Sequence, residues 1–367
     1  MEIGGAEKSL INLLNNLDSS LYKITLVTFK PNGALREYVP HYVQNIQLDY
    51  PRLSFFDRLI FFIKRKTRRG RHHAQIYWSI AKNKFDKLDM KFDIAIAYNQ
   101  GFATYFTSNY IEAANKFAWL NTDYTKAGYN ITFDYLIYKN YESVVAVSPE
   151  AKISLENQLQ RIAKMLPIAV IKDITDHKLM KEQAKELIPK PFDKNRINLV
   201  SVGRLASSKG FDIAVRACKI LKDKGHLFNW YLIGEGSERK KLENLINSLG
   251  LKNIFILIGA DPNPYRYIAR ADIYVQTSLF EGLGLTVIEA ASLGKPIVST
   301  DFPSVRGILE HEKTGLIVSM NPESIATSIE RLMNDNKLRE KFTKNRFSEE
   351  NKTKDRTISQ VIELMNV

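Results

Sequence analysis

The sequence predicts an α/β protein made of two doubly wound domains with parallel sheets. Short apolar runs alternate along the chain with longer amphipathic stretches of helical period, and this alternation is typical of parallel βαβ units. The chain has 367 residues, a length that indicates two domains at about 100–200 residues each. Hydrophobic residues make up 44% and charged residues 25% of the chain, so each domain can bury a core and disorder is not indicated.

The first half of the chain opens on a glycine pair, Gly4 and Gly5, followed by an amphipathic stretch at residues 6–17 that predicts a helix. Residues 52–85 are expected to be helical, with an interruption in a basic loop. Apolar runs predict strands at residues 22–29, 94–98, 116–120 and 143–147.

The second half is more regular, because several predicted strands end in a glycine-containing loop that leads into a helix. Strands are expected at residues 198–202, 230–233, 254–257, 273–276, 296–299 and 316–318. Helices are expected at residues 211–222, 237–249, 264–269, 285–293, 322–334, 337–346 and 353–365.

The domain boundary is expected near Pro189 and Pro191, since two prolines in a charged stretch are typical of an exposed linker. This places an N-terminal domain at residues 1–188 and a C-terminal domain at residues 189–350. The last helix, within residues 351–367, is expected to cross back to the first domain.

The net charge of +13 indicates an anionic partner: nucleic acid, acidic lipid or a phosphorylated ligand. The densest basic run, residues 64–73, directly follows the aromatic and aliphatic residues 53–63. Such a pair of segments is typical of an interfacial contact with an anionic membrane surface, and the alternative is a solvated loop beside a core helix. The expected membrane contacts are Phe61, Phe62, Lys64, Arg65, Arg68 and Arg69.

The chain has one cysteine, Cys218, which fits a reducing compartment and excludes an internal disulfide framework. The sequence has no apolar stretch near the ~18–20 residues that would span a bilayer. It also has no recognisable nucleic-acid-binding module, so no nucleic-acid partner is expected. We therefore expect a cytoplasmic protein, with a peripheral position on the cytoplasmic face of the membrane as the alternative to a free one.

The strongest motif runs from Ser278 to Ala290, between a predicted strand and a predicted helix. Gly282 and Gly284 let the backbone approach a ligand, and the N-terminus of the new helix favours an anion such as phosphate. Glu281 and Glu289 flank the turn, and carboxylates accept hydrogen bonds from hydroxyl groups. The turn therefore predicts a site for a polyhydroxylated phosphate ester. The alternative is a glycine turn with two surface glutamates.

A second motif follows an earlier strand, where Gly203 and Arg204 precede Lys209. Ligands bind at the carboxyl ends of strands in open α/β sheets, and these two cations can hold a diphosphate. The alternative is a pair of solvated cations. Gly234 lies in a Gly-x-Gly turn after the next strand, and the turn at Ile258 could offer backbone groups to a base.

These residues resemble the donor-binding domain of retaining glycosyltransferases of family 4, which have the GT-B architecture. The match runs from about Ile197 to Val318. It includes Glu-x7-Glu from Glu281 to Glu289, Arg-x4-Lys-Gly from Arg204, and Ala-x-Leu-Gly-Lys-Pro from Ala291. The resemblance implies two Rossmann-like domains facing each other across a cleft.

The resemblance also implies roles for individual residues. Arg204 and Lys209 would hold the diphosphate and stabilise negative charge on the leaving group, Glu289 would bind the ribose hydroxyls, and Glu281 would contact the donor sugar. The backbone amides that would bind sugar hydroxyls and phosphate belong to Gly282, Leu283, Gly284, Leu285 and Thr286.

The first half resembles the acceptor domain of the same family more loosely. Gly4-Gly5-Ala6-Glu7 matches the glycine loop after the family's first strand, where Gly5 would approach the donor phosphate. That first strand is expected to be missing, by truncation or a misassigned start. Asn121 stands where many relatives have histidine, and Asp123 is a second candidate for acceptor contact.

These motifs predict an enzyme that moves a sugar from a nucleotide donor, UDP rather than GDP, to a glycan or lipid-linked acceptor. The sequence contains no Asp-x-Asp pair, so we expect transfer without a metal or other cofactor, with cations and a helix N-terminus stabilising the leaving group. Retention of configuration is implied by the resemblance. The alternatives are a catalytically impaired nucleotide-binding protein and a basic nucleic-acid-binding protein.

Overall fold

The computed structural model describes residues 4–29, 33, 35–67, 71–189, 192–344 and 350–366. The chain folds into two compact units. The first contains Ser9–Asp173 and Thr357–Val367, and the second contains Glu2–Lys8 and Ile174–Arg356. The expectation that the family's first strand is missing before Gly4 concerns residues 1–3 and lies outside the described residues.

The units divide after Asp173, whereas the sequence places the boundary at residues 188 and 189. The difference arises because Met180, Ala184 and Ile188 are buried in an apolar cluster of the second unit. Thr357–Val367, from the last helix, is part of the first unit.

The elements alternate as expected. The helices are α1 (Gly5–Leu14), α2 (Phe55–Thr67), α3 (His73–Ala81), α4 (Phe102–Tyr110), α5 (Ile131–Tyr138), α6 (Pro149–Arg161), α7 (His177–Gln183), α8 (Phe211–Asp223), α9 (Arg239–Ser248), α10 (Tyr265–Ile268), α11 (Leu285–Ser292), α12 (Pro322–Asn334), α13 (Asn336–Lys344) and α14 (Glu350–Met365). The strands are β1 (Thr25–Thr28), β2 (Gln44–Gln47), β3 (Lys91–Ala97), β4 (Glu112–Leu120), β5 (Ser143–Ala146), β6 (Ile168–Val170), β7 (Ile197–Val202), β8 (Phe228–Ile233), β9 (Phe255–Gly259), β10 (Ile273–Gln276), β11 (Ile297–Thr300) and β12 (Leu316–Val318).

The second unit is a doubly wound parallel sheet with the order β12-β11-β10-β7-β8-β9. The strand order reverses between β7 and β10, which is the position where open α/β sheets bind ligands. Apolar clusters pack around Trp230 and Phe228 and, separately, around Tyr274 and Phe302. The predicted α/β class with parallel sheets is confirmed.

The first unit contains a four-stranded parallel sheet, β3-β4-β5-β6, and a separate parallel pair, β1-β2. The core of this unit is rich in aromatic side chains. Phe29, just after β1, lies 4.7 Å from the ring centroids of both Phe102 and Phe106 on α4. Aromatic packing against α4 therefore holds the two-stranded sheet to this core.

The elements that the sequence analysis did not predict are β2, β6, α4, α5, α6 and α7. Strand β2 is Gln44-Asn45-Ile46-Gln47, which has too few apolar residues to give a strand signal. Strand β6 has only three residues. Both form because a neighbouring strand supplies parallel hydrogen-bonding partners.

A buried carboxylate, Asp134 on α5, organises the polar part of this core. Its oxygens accept hydrogen bonds from Tyr105 Oη at 2.7 Å, Tyr124 Oη at 2.6 Å and Gln75 Nε2 at 2.8 Å. Burial raises the pKa of Asp134 to about 6, although the three hydrogen bonds partly oppose the shift. The folded protein therefore holds a proton on Asp134 at a pH where the unfolded chain has lost it.

We predict a pH-dependent difference in stability between the wild type and Asp134→Asn. Between about pH 4 and pH 6 the unfolded Asp134 ionises while the folded one stays protonated, so the wild-type free energy of unfolding should fall as pH rises. Relative to the variant, this fall should reach about 3 kcal/mol and then stop above pH 6. Urea unfolding of the first unit measures it, and parallel pH profiles for the two proteins would contradict the prediction.

Candidate functional site

In the second unit, the loops after β7, β8, β9 and β10 are joined by backbone hydrogen bonds. The amide of Gly234 donates to the carbonyl of Gly259 at 2.8 Å, and the amide of Leu205 donates to the carbonyl of Glu235 at 2.9 Å. The amide of Leu279 donates to the carbonyl of Ser208 at 2.8 Å. Four strand-end loops therefore form one connected rim at the carboxyl edge of the sheet.

Two predicted site glycines are required by this geometry. A Cβ atom on Gly234 would lie 1.9 Å from the carbonyl oxygen of Gly203, so no other residue fits without a backbone shift. Gly284 has φ +88° and caps the start of α11, a conformation that other residues adopt only with strain. A Cβ there would also lie 3.0 Å from the side chains of Phe302 and Ile308.

Lys209 and Glu281 form an ion pair in which Nζ lies 2.6 Å from Oε1. The same Oε1 accepts hydrogen bonds from Ser278 Oγ at 2.6 Å and Gln276 Nε2 at 3.0 Å. Gln276 Oε1 in turn accepts a bond from Thr286 Oγ1 at 3.2 Å. The loop carboxylate is thus held by three donors, and Gln276 connects it to the first turn of α11. The sequence analysis missed Gln276, and it gave no role to Ser278, the first residue of its strongest motif.

Glu289 is buried on α11 and accepts a hydrogen bond from Tyr265 Oη at 2.9 Å. Lys8 Nζ lies 3.4 Å from the same hydroxyl and 4.4 Å from the centroid of the Tyr265 ring. Burial raises the pKa of Glu289, while the charge of Lys8 opposes this shift. Burial likewise lowers the pKa of Lys8, and the negative charge of Glu289 opposes this shift. Lys8 and Tyr265 were also missed, because nothing local in sequence connects them to Glu289.

Gly5, as part of the second unit, lies beside this group. A Cβ atom on Gly5 would lie 3.1 Å from Cδ1 of Leu285, the first residue of α11. The N-termini of α1 and α11 therefore lie side by side. Because each helix N-terminus carries a partial positive charge and free amides, their junction favours an anion.

Arg204 is exposed at the end of β7, and within the described residues its guanidinium has no hydrogen bond or ion pair. A Cβ on the preceding Gly203 would lie 3.4 Å from Lys209 Cε, so the backbone before Arg204 lies against the lysine stem. Ile258 packs against the apolar cluster beneath the rim, and Leu283 is buried.

The predicted acceptor residues follow β4 in the first unit. Asn121 Nδ2 donates to the carbonyl of Tyr98 at 2.8 Å, and its buried Oδ1 has no partner among the described residues. Asp123 Oδ1 accepts from Ser154 Oγ at 2.7 Å and from the Lys126 amide at 3.0 Å. Asp123 thus fixes its own loop, while Asn121 retains an acceptor for a hydroxyl group.

The predicted membrane contacts lie in different environments. Phe62 and Arg65 are exposed on α2, whereas Phe61 and Lys64 are half-buried. Lys64 Nζ lies 3.4 Å from Ser79 Oγ on α3. Arg68 and Arg69 lie outside the described residues.

Within the part of the chain that the structure describes, no helix is long and apolar enough to cross a bilayer. In the same residues, no three His, Cys, Asp or Glu side chains are grouped as metal ligands would be.

We predict that Gly234→Ala destabilises the second unit by more than about 2 kcal/mol, because the new methyl group displaces the Gly203 carbonyl. Gly225→Ala is the matched control: its φ is +82° but nothing lies within 4 Å of a Cβ there, so only the backbone cost of about 1 kcal/mol applies. Thermal unfolding compares the two, and equal losses would show that the close approach is unimportant.

Residues 182–348 match the family described as "Glycosyl transferases group 1". The lipopolysaccharide core biosynthesis glycosyltransferase LpsD of Rhizobium meliloti is 28% identical over 220 residues, 58% of this chain and 61% of LpsD. The N-acetylgalactosamine-N,N'-diacetylbacillosaminyl-diphospho-undecaprenol 4-alpha-N-acetylgalactosaminyltransferase of Campylobacter jejuni is 28% identical over 223 residues, 60% of this chain and 59% of that enzyme. The matches thus span about three-fifths of these two curated relatives.

Among solved structures, Anabaena Alr3699/HepE in complex with UDP and glucose has a TM-score of 0.69 at 17% identity, covering 99% of this chain and 96% of that one. Sucrose-phosphate synthase from Thermosynechococcus elongatus has a TM-score of 0.67 at 17% identity, covering 96% and 91%. At this identity the likeness shows the fold, two Rossmann-like domains of the GT-B type. The matched residues, 182–348, include the rim of strand-end loops, so this part of the chain is similar to the group 1 glycosyltransferases.

Proposed function

We propose that this protein transfers a sugar from a UDP-sugar to a glycan or lipid-linked acceptor in the synthesis of a cell-surface polysaccharide or glycolipid. The observation that carries the proposal is the grouping of Lys209, Glu281 and the start of α11 at the switch point of the second sheet. UDP is the nucleotide named in the complexes of Alr3699/HepE and of the Staphylococcus aureus protein TarM.

The donor diphosphate would lie against the N-terminus of α11. Arg204, whose guanidinium is exposed, can grip the phosphates bidentately, and Lys209 can move from Glu281 to a phosphate oxygen. Glu281 is then free to accept hydrogen bonds from the donor sugar, and Glu289 from the ribose hydroxyls. Gly5 leaves room for the phosphate to approach the start of α1.

In the transfer step the bond between the anomeric carbon and the diphosphate oxygen breaks, a bond from that carbon to the acceptor hydroxyl oxygen forms, and the acceptor hydroxyl gives up its proton to water. The diphosphate leaves with an added negative charge, which the two cations and the free amides of α11 stabilise in place. No step of this proposal uses a metal ion, so EDTA should leave the rate unchanged. Retention of configuration follows from the resemblance and is measured by NMR of the product.

The acceptor side of the proposal rests on the first unit and on the curated relatives. Asn121 has a buried amide oxygen able to accept a hydroxyl hydrogen, and Asp123 lies in the same loop. The Campylobacter relative is named for a substrate on diphospho-undecaprenol. A lipid-linked acceptor of that class would place this protein at the cytoplasmic face of an anionic membrane.

A second candidate is nucleotide binding without transfer. The described strands of the first unit lie in two separate sheets, and all four residues of β1 are only half-buried. A divided sheet can position an acceptor less firmly than a continuous one. UDP binding without sugar transfer to any acceptor would favour this candidate.

We predict that UDP at 100 times its Kd raises the melting temperature of the second unit by about 5–10 °C, because the ligand binds only the folded state. GDP and ADP should have smaller effects at the same concentration. Lys209→Met should weaken UDP binding by about 10- to 100-fold, since a charged hydrogen bond to phosphate is lost.

The matched control is Lys219→Met, on α8 of the same unit, where the lysine pairs with exposed Asp223. It should leave the UDP effect unchanged. If no nucleotide changes the melting temperature, the assignment of the donor site is wrong. If GDP raises the melting temperature more than UDP does, the assignment of UDP as the donor nucleotide is wrong.

We predict that Lys8→Met makes the KM for the donor more sensitive to acid. Glu289 must be ionised to accept two ribose hydroxyls, and its pKa is already raised by burial. Removing the Lys8 charge raises that pKa further, so KM should begin to rise at a higher pH as the solution is acidified. Lys8→Arg keeps the charge and should keep the wild-type profile. Coincident KM profiles for Lys8→Met and Lys8→Arg from pH 5.5 to 8.5 would contradict this role.

A further inference from the structure

Helix α2 in the first unit carries six large apolar side chains that are open to solvent. The exposed fractions are 77% for Phe55, 73% for Phe56 and 65% for Phe62. They lie between 42% and 49% for Leu59, Ile60 and Ile63, and no residue of α2 is fully buried. Single exposed apolar residues are normal, but a contiguous group on one helix indicates an interaction surface.

The six side chains occupy one side of the helix. At about 100° per residue they fall within a continuous arc of about 160°. Asp57, Phe61 and Lys64 lie on the opposite side and are half-buried. Asp57 pairs with Lys84, and Lys64 lies near Ser79 of α3. The helix is therefore attached through its more polar side and presents its apolar side outward, the reverse of an ordinary surface helix.

The charges around the apolar arc are positive. Arg58 and Arg65 lie beside the arc, Lys66 lies within it near the end of the helix, and all three are exposed. Asp57, the acidic residue of α2, is neutralised by its ion pair with Lys84. A second copy of this chain docking through the same face would bring these like charges together. Anionic lipid headgroups would instead neutralise them while the apolar side chains enter the acyl region.

We propose that α2 lies in the interface of an anionic membrane with the apolar arc, Phe55, Phe56, Leu59, Ile60, Phe62 and Ile63, inserted. Of the two phenylalanines selected from the sequence, this arc includes Phe62 and leaves out Phe61, which is half-buried on the opposite side of the helix. This proposal rests on the proposed function in one respect only, that a lipid-linked acceptor would require the protein to bind a membrane. Membrane binding is measured without donor or acceptor, so its failure is separate from a failure of sugar transfer.

The orientation of α2 can be tested with single labels of an environment-sensitive dye. The native Cys218 is fully buried, and burial raises the pKa of its thiol to about 12, so it will not react. Phe55→Cys and Leu59→Cys place the dye in the apolar arc, whereas Arg58→Cys and Arg65→Cys place it outside. With phosphatidylglycerol vesicles, we expect a blue shift and increased emission at the first two positions and little change at the others.

Affinity for the same vesicles provides the second readout. Replacing Phe55, Phe56 and Leu59 together by serine should weaken binding by more than about a hundredfold, because three side chains lose their apolar transfer. Replacing Arg65 and Lys66 by serine should weaken it by about fivefold per charge and only on anionic vesicles.

The matched control replaces Leu21, Leu136 and Ile153 by serine, since these are exposed by 72%, 61% and 53% in the same unit but lie outside α2. This variant should bind vesicles like the wild type. Three results would overturn the proposal: no vesicle binding by the wild type, equal dye shifts at all four positions, or concentration-dependent dimerisation that shields the arc positions without lipid. The last would assign the face to a second copy of the chain.

Discussion

The site depends on the close approach of two backbone segments, in which Gly234 lies against the carbonyl of Gly203. This contact brings the loops after β7 and β8 together, and the hydrogen bond from Gly234 to Gly259 connects them to the end of β9. The carboxyl ends of parallel strands meet at one edge of a sheet, so short loops suffice to bring cations and carboxylates together. Without room for that approach, Arg204 and Lys209 would not share a rim with α11.

Charge balance is the second constraint on the site. Two carboxylates lie at least partly out of water, and each has a cation within reach: Lys209 contacts Glu281, and Lys8 lies beside the tyrosine that contacts Glu289. Breaking such a pair leaves an uncompensated charge that is costly to bury. A ligand with a diphosphate and several hydroxyl groups can replace both pairings, because phosphate satisfies the cations and the hydroxyls satisfy the carboxylates.

The first unit is stabilised by different interactions. Its core is stabilised by aromatic packing and by Asp134 with its three donors, and its strands lie in two sheets. Helix α2 is attached to this unit by its polar side, so its apolar side chains contribute little to the core. A chain would gain stability by burying them, and their exposure therefore points to a partner rather than to folding.

The sequence alone determined the α/β class, most elements of the second unit and the residues of the Glu-x7-Glu turn, because periodicity and glycine spacing are local properties. It did not determine that Lys8 reaches Tyr265, 257 residues away, that Gln276 links Glu281 to Thr286, or that Phe61 is half-buried while Phe62 is exposed. Those depend on which segments pack together and how far each helix is rotated about its axis. Only tertiary packing decides that rotation, since it is set by the neighbours that a helix buries and not by its own pattern.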